Sequence, residues 1–182
     1  MYPAPEKNHF ELFGLPVTFD IDTDELAVRY RELQRRVHPD KFASASDQDR
    51  RLSLQMTALV NEGFHTLKDP VRRGRYLLSL RGVDLDDETD TTMDPAFLME
   101  QMELREELEE VRQADNPRKQ LAGLANRIEQ RLQDKIGYFR RAIADDTPDG
   151  TGKARNAVRE MQFLEKMRRE IDNLEEELTE SS

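Results

Sequence analysis

The chain contains no cysteine and no tryptophan, and only 8 of its 182 residues are glycine. Without cysteine it cannot form a disulfide, a thiolate zinc site or a cysteine nucleophile. The lack of tryptophan and the scarcity of glycine argue against a repetitive β architecture. No run of apolar residues reaches the length of a transmembrane helix.

The first ten residues, MYPAPEKNHF, lack the apolar core of a secretory signal and the Arg-rich amphipathic pattern of an organelle-import sequence. We therefore expect a protein of a reducing compartment or, for an imported protein, the processed form. Charged and hydrophobic residues each make up 36% of the chain. That balance favours small helical units with hydrated surfaces over one large core.

Charge is distributed unevenly along the chain. Residues 1–82 hold 13 Lys and Arg against 12 Asp and Glu, whereas residues 83–182 hold 15 against 26. This asymmetry indicates two units with different partners. The overall net charge of −10 argues against nucleic-acid binding, which needs a basic surface.

The spacing of apolar residues predicts an all-α fold. The first long helix should begin after Asp22, since Glu25 follows it at the spacing of a capping box. It should end near His38, because Pro39 disfavours helical backbone at the residue before it. No stretch shows the alternation that is typical of a strand.

The rest of the first unit follows the same logic. A loop is predicted over residues 39–47, a second long helix over about 48–67, and a shorter helix from Pro70 that ends before Gly82. A short apolar segment precedes all of these. Residues 1–82 are therefore predicted to form a helical hairpin flanked by two short helices.

The second unit is predicted to be a three-helix bundle over residues 95–182, joined to the first by an acidic linker over 83–94. Its helices are expected near 95–114, 117–144 and 153–179, because apolar residues form a stripe along each. The segment DDTPDG, residues 145–150, separates the last two.

The tripeptide His38-Pro39-Asp40 at the end of the first long helix has four interpretations. Pro39 could stop the helix and Asp40 cap the turn, with no other role. An acid–base pair is disfavoured, because an exposed loop has no desolvated pocket to tune a pKa. A metal site needs more ligands than the scattered His9, His38 and His65 can bring together. The last interpretation is recognition, with a rigid loop presenting polar groups to an acidic partner.

Basic residues surround this tripeptide. Arg29, Arg31, Arg35, Arg36 and Lys41 all fall within 13 residues. Helical spacing places Arg31 and Arg35 on one face, opposite the apolar residues of the same helix. Either a docking surface or an ordinary solvated helix face accounts for this charge.

The first helix expected in the second unit has two apolar faces on a helical wheel drawn over residues 95–112. One is a core stripe of Phe97, Gln101, Leu104, Leu108 and Val111. The other side carries an apolar group with acidic neighbours: Leu98, Met99, Met102, Glu103, Glu106 and Glu110. An apolar patch with a charged rim is the usual form of a protein-binding site, and methionine suits an adaptable surface. The alternative is that Leu98 and the two methionines pack against a neighbouring helix or against the first unit.

The segment YRELQRRVHPDKF inside a helical hairpin resembles the J-domain, which stimulates the ATPase of DnaK-type chaperones. Four segments, FELFGLP, LQRRVHPDKFAS, VNEGFHTLKDPVRRGRYLL and FLMEQMELREELEE, follow one another as in the HscB family, the co-chaperones of iron–sulfur cluster assembly. The resemblance covers nearly the full length. The chain has neither the Gly/Phe-rich or zinc segments of generic J-proteins nor the N-terminal cysteine module of some eukaryotic relatives. This favours a cytoplasmic protein of bacterial type.

The resemblance implies a protein that is not an enzyme and holds no metal or cofactor. His38, Pro39 and Asp40 would trigger ATP hydrolysis in an HscA-type chaperone of the DnaK class. The positions that the resemblance implies for docking this chaperone are Arg31, Arg35, Arg36 and Lys41. The positions that it implies for binding an IscU-type scaffold protein are Leu98, Met99, Met102, Glu103, Glu106, Glu110 and Phe163.

Phe163 lies about 80° from the main apolar stripe of its helix, which predicts partial exposure. Two other functions remain open. One is a J-domain adaptor that presents a different client protein. The other is a helical scaffold protein outside the chaperone system, in which the tripeptide is accidental.

Overall fold

A computed structural model describes residues 7–42, 45–83, 85 and 94–180. The described residues are helical and contain no strand, so the predicted all-α fold is confirmed. The chain divides into two compact units, Met1–Leu80 and Arg81–Ser182. This division falls two residues before the predicted end of the first unit. Most of the predicted acidic linker, residues 84 and 86–93, lies outside the described residues.

The first unit is built around an antiparallel pair of helices. Helix α2 and helix α3 form the pair, and the shorter α1 and α4 pack against α3. The bounds of these helices are α1 His9–Leu12, α2 Thr23–Val37, α3 Asp47–Lys68 and α4 Pro70–Leu80. A 3₁₀ helix, Pro39–Phe42, occupies part of the predicted loop. The core holds the fully buried side chains Phe10, Leu26, Val60, Leu67 and Leu78.

The predicted start of α2 is confirmed. The Asp22 carboxylate accepts hydrogen bonds from the backbone N–H groups of Asp24 and Glu25, at 2.9 and 3.0 Å. These bonds satisfy amides that have no partner inside the helix. The side chain of Glu25 pairs instead with Arg29 one turn along, at 2.5 Å.

The second unit contains three helices, and α6 and α7 form its long central pair. The bounds are α5 Pro95–Val111, α6 Pro117–Ala144 and α7 Pro148–Glu180. The apolar stripe predicted along α6 is buried in full, at seven residues: Leu121, Leu124, Ile128, Leu132, Ile136, Phe139 and Ile143. The three-helix architecture is therefore the one expected from the sequence.

Two predicted helix ends were wrong. Helix α7 begins at Pro148 rather than near 153, because the Thr147 hydroxyl accepts a hydrogen bond from the Gly150 N–H and caps the first turn. Helix α5 ends at Val111 rather than 114. The chain beyond it tightens into three-residue turns, such as that from the Gln113 N–H to the Glu110 carbonyl.

No helix among the described residues is long and apolar enough to cross a membrane.

Candidate functional site

The His38-Pro39-Asp40 turn begins where α2 ends. His38 has an extended backbone, with ψ at 129°, as expected for a residue before proline. The carbonyl of His38 accepts a hydrogen bond from the Lys41 N–H at 3.1 Å, which closes the turn. The carbonyl of Val37 accepts from the hydroxyls of Ser53 and Thr57 on α3. The turn is thus a defined structure tied to both long helices.

The side chains of His38 and Asp40 lie at the surface, with 51% and 89% of their areas exposed. Nδ1 of His38 accepts a hydrogen bond from the Asp40 N–H at 3.3 Å and lies 3.5 Å from the Asp40 carboxylate. A neutral imidazole that accepts at Nδ1 carries its proton on Nε2 and can donate from there to a partner. Such exposure suits recognition and gives no desolvated pocket for acid–base chemistry.

The four predicted docking cations are exposed: Arg31, Arg35, Arg36 and Lys41. None of them forms an ion pair with another described residue, so their charge is available to an acidic partner. Gln34, Arg35, His38, Asp40 and Lys41 line one shallow depression, so part of the basic surface adjoins the turn.

Arg29 does not belong to this free basic surface, although its position in the sequence suggested so. Its Nη1 donates to the carbonyls of Phe13 and Gly14, at 2.6 and 2.5 Å, and Nη2 pairs with Glu25. Gly14 has φ of +63°, in the left-handed region that favours glycine. Arg29 therefore holds the turn after α1 rather than a partner.

The second face of α5 is exposed, as the interpretation of this face as a protein-binding site requires. Leu98, Met99 and Met102 are 44%, 65% and 63% exposed. The core stripe of the same helix is buried at Phe97, Leu104, Leu108 and Val111. The alternative in which the second face packs against another described helix of the second unit is therefore wrong.

Five of the six acids of α5 fall into two groups. Glu100 and Glu107 pair with Arg131 and Arg127 of α6, the first pair at 2.6 Å. Glu103, Glu106 and Glu110, beside the exposed apolar residues, are exposed and form no ion pair with any described residue. One flank of the helix thus has its charge neutralised inside the bundle, and the other presents unneutralised carboxylates around an apolar patch.

Among the residues that the structure describes, no group of three or more His, Asp or Glu side chains is placed to hold a metal ion.

Comparison with known proteins identifies the family. The model of the HSCB C-terminal oligomerisation domain matches residues 93–172. A co-chaperone protein HscB homolog of Shewanella amazonensis is 46% identical over 171 residues, which cover 94% of this chain and 98% of that relative. The corresponding protein of Shewanella halifaxensis is 43% identical over the same shares. The chain belongs to the HscB co-chaperone family.

Solved structures of HscB proteins share the fold. The chaperone HscB from Vibrio cholerae has a TM-score of 0.84 at 38% identity, covering 94% of this chain and 99% of that one. The human co-chaperone protein HscB has a TM-score of 0.87 at 29% identity, covering 96% and 85%. The first is named a chaperone and the second a co-chaperone.

The predicted partial exposure of Phe163 was wrong. Only 8% of the residue is exposed, and its ring packs against Phe97 of α5. Helix α7 contacts both other helices of the bundle, so its buried arc is wider than the stripe that faces α6. A role for Phe163 in binding a scaffold stays a prediction, and its burial favours support of α5 over a broad direct contact.

Sequence reasoning missed Ser53 and Thr57, whose hydroxyls reach the end of α2. The available signal was their spacing of four residues, which places them on one face of α3. Nothing in the sequence indicated that this face meets the carbonyl of Val37.

Proposed function

We propose that this HscB-family protein is an adaptor of iron–sulfur cluster assembly, with one partner for each of its two units. Its first unit stimulates an HscA-type ATPase of the DnaK class, and its second unit delivers an IscU-type scaffold protein to that chaperone. Family membership supports the general role. The cluster is cargo carried by the scaffold, and the adaptor acts in the cytoplasm without a metal or cofactor of its own.

The observation that carries the first half is an exposed, closed turn beside cations that have no described partner. Arg31, Arg35, Arg36 and Lys41 steer an acidic surface of the ATPase toward the turn. His38 and Asp40 then offer a donor and a carboxylate in fixed positions. A pre-formed turn loses little conformational entropy on binding, so its contacts can bias the ATPase toward hydrolysis.

The second half rests on the exposed face of α5. Leu98, Met99 and Met102 supply an apolar centre, and the carboxylates of Glu103, Glu106 and Glu110 supply the rim. The complementary surface is apolar with cationic edges. The buried ring of Phe163 packs against Phe97 and so supports α5 on the side opposite its exposed face.

An adaptor that binds both partners brings the scaffold close to the chaperone. A scaffold held on the second unit is brought to the chaperone that the first unit engages, which raises its effective concentration without any new contact. The ATP cycle of the chaperone would then act on the scaffold during cluster release or transfer. The adaptor itself changes no covalent bond.

The test is ATPase stimulation of a purified HscA-type chaperone. We expect His38→Gln to abolish stimulation while thermal stability is kept, because the side chain is half exposed. The matched control is His65→Gln, the same change at another exposed histidine, which should stimulate normally. Unaltered stimulation by His38→Gln would contradict the proposal that the first unit acts as a J-domain.

Two further measurements separate the parts of the proposal. Stimulation should weaken as salt rises, and Arg35→Glu with Arg36→Glu should slow association, because exposed cations drive docking. Indifference to salt would contradict the basic docking surface. A pull-down from cell extract should recover an IscU-type scaffold. Recovery of a different client without this scaffold would contradict delivery of the scaffold by the second unit.

A further inference from the structure

The carbonyl of Val37 needs a hydrogen-bond partner from outside its own helix. In a continuing α-helix it would accept from the N–H of residue 41, four positions on. That N–H, on Lys41, instead donates to the carbonyl of His38 at 3.1 Å. The switch leaves the last carbonyl of α2 without its helical partner in an interior region, since Val37 is only 2% exposed.

Two hydroxyls of α3 meet this need. The Oγ of Ser53 donates to the Val37 carbonyl at 2.5 Å, and the Oγ1 of Thr57, one turn along, donates at 3.2 Å. Ser53 has no exposed surface. A hydroxyl in the middle of a helix commonly bonds the carbonyl four residues back in its own helix. Ser53 instead donates its only hydroxyl hydrogen to the Val37 carbonyl of the neighbouring helix.

The bonded carbonyl belongs to the peptide unit that joins Val37 to His38. Because a peptide unit is planar, fixing its oxygen fixes the plane from which His38 departs. Pro39 then restricts His38 to extended values of ψ and fixes its own φ. The side chain of His38 is half exposed and that of Asp40 is almost fully exposed, so packing alone does not fix their orientation.

We infer that Ser53 is a positioning residue for the His38-Pro39-Asp40 turn, with Thr57 as its weaker second. Ser53 touches no partner and acts through the peptide plane before His38. The consequence for ATPase stimulation rests on the proposed function. The consequence for the order of the turn does not, so the two can be tested separately.

The test uses Ser53→Ala in the full chain, with two readouts. In the first, chaperone ATPase is titrated with the variant. Maximal stimulation should fall about fivefold, the effect of losing one ordinary buried hydrogen bond, while the half-saturating concentration stays within about twofold. The two quantities should respond differently because the substitution leaves the docking cations unchanged and displaces only the His38-Pro39-Asp40 turn.

The second readout is amide hydrogen exchange of the ¹⁵N-labelled protein without any partner. The Lys41 N–H should exchange about fivefold faster in Ser53→Ala, because the turn that it closes is less well held. Amides in the middle of α2 and α3 should keep their wild-type rates. Thr57→Val, which keeps the side-chain shape, should give the same pattern more weakly and serves if Ser53→Ala folds poorly.

The matched control is Ser79→Ala, which removes a hydroxyl that donates to the Tyr76 carbonyl at 2.7 Å on the exposed side of α4. It should leave both readouts unchanged. The inference is overturned if Lys41 exchange is unaltered in Ser53→Ala and Thr57→Val, or if exchange accelerates equally throughout α2 and α3. If the wild-type chain gives no stimulation at all, the proposed function fails, and the exchange data still decide the role of Ser53.

Discussion

The ring of Phe163 meets the ring of Phe97 edge to face, with the centroids 5.7 Å apart and the planes at 89°. The guanidinium of Arg105 lies over the same Phe163 ring, 5.8 Å from its centroid. Phe97 directly precedes Leu98, the first residue of the exposed apolar patch. Phe163 therefore joins α7 to the helix that presents the patch.

We expect Phe163→Ala to lower the free energy of unfolding of the second unit by about 3–5 kcal/mol, the usual cost of removing a buried aromatic ring. Tyr138→Ala, at a site on α6 that is 41% exposed, should cost less than about 1 kcal/mol. Denaturant unfolding of both variants measures this difference. Equal costs would show that the Phe97–Phe163 contact contributes little to the bundle.

Arg29 and Arg31 lie two residues apart on α2, and their substitutions should have different effects on stability. Arg29→Ala removes donors from the carbonyls of Phe13 and Gly14 and should destabilise the first unit by about 1–2 kcal/mol. Arg31→Ala, at an exposed position without a described ion pair, should change its stability by less than about 0.5 kcal/mol. Unfolding followed by NMR signals of the first unit tests the pair. A larger loss in Arg31→Ala would reverse the assignment.

His9 gives the first unit a dependence on pH. Burial lowers the pKa of its imidazole below 6.5, and the nearby Glu62 opposes this only in part. The ring stacks on Tyr76 with centroids 4.4 Å apart, and its buried Nδ1 has no hydrogen-bond partner among the described residues. As pH falls below 6.5, the unfolded chain takes up a proton before the folded chain does, so stability falls toward acid.

We expect His9→Gln to reduce this acid loss between about pH 7 and 5, although the variant is less stable at neutral pH because it lacks the stacked ring. The contribution of one histidine cannot exceed about 1.4 kcal/mol per pH unit. Unfolding free energies of the first unit, measured across that range in both proteins, give the two slopes. Parallel slopes would exclude His9 as the source.

Glycines 150 and 152, both in the first turns of α7, should respond oppositely to alanine. A β-carbon at Gly150 would overlap the carbonyl of Asp145 and approach that of Ala142 at 2.9 Å. Gly150→Ala should therefore destabilise the second unit by about 1–3 kcal/mol. Gly152 has nothing within 4 Å of such an atom, so Gly152→Ala should stabilise it by about 0.5–1 kcal/mol. Thermal melts that shift in the same direction would contradict this.

Much of the fold follows from local signals in the sequence. The Asp22 cap and Pro117 mark helix starts, and the stripe of α6 is buried in full. The start of α7 was misplaced because glycines at 150 and 152 are poor helix formers, and the cap at Thr147 outweighs them. A single helix can be judged from its own spacing and caps.

The parts that failed or were missed depend on pairs of helices. Phe163 is buried because α5 and α6 both pack on α7, and a wheel drawn for one helix does not contain that information. Charge alone likewise could not separate Arg29, which bonds the turn after α1, from the cations that remain exposed. Ser53 needed the position of Val37 on a different helix.

The exposed patch of α5 can be separated from the core of the same helix by substitution. Replacing Leu98, Met99 and Met102 together with Ala should cost little stability, because all three are more than 40% exposed. It should weaken binding of an IscU-type scaffold by well over tenfold, since central apolar anchors are worth about 1–2 kcal/mol each, though not additively. ATPase stimulation without scaffold should stay normal.

The matched control for this triple variant is Leu104→Ala, two residues after Met102 on α5 but on the buried face of the helix. Leu104 is 4% exposed, so its loss should destabilise the bundle by about 2–5 kcal/mol. Thermal melts and scaffold titrations of both variants decide the matter. A triple variant that melts like Leu104→Ala would mean that the patch supports the bundle. A stable triple variant with full scaffold affinity would mean that the scaffold binds a different surface, because an apolar centre cannot be removed from a binding site without loss of contact area.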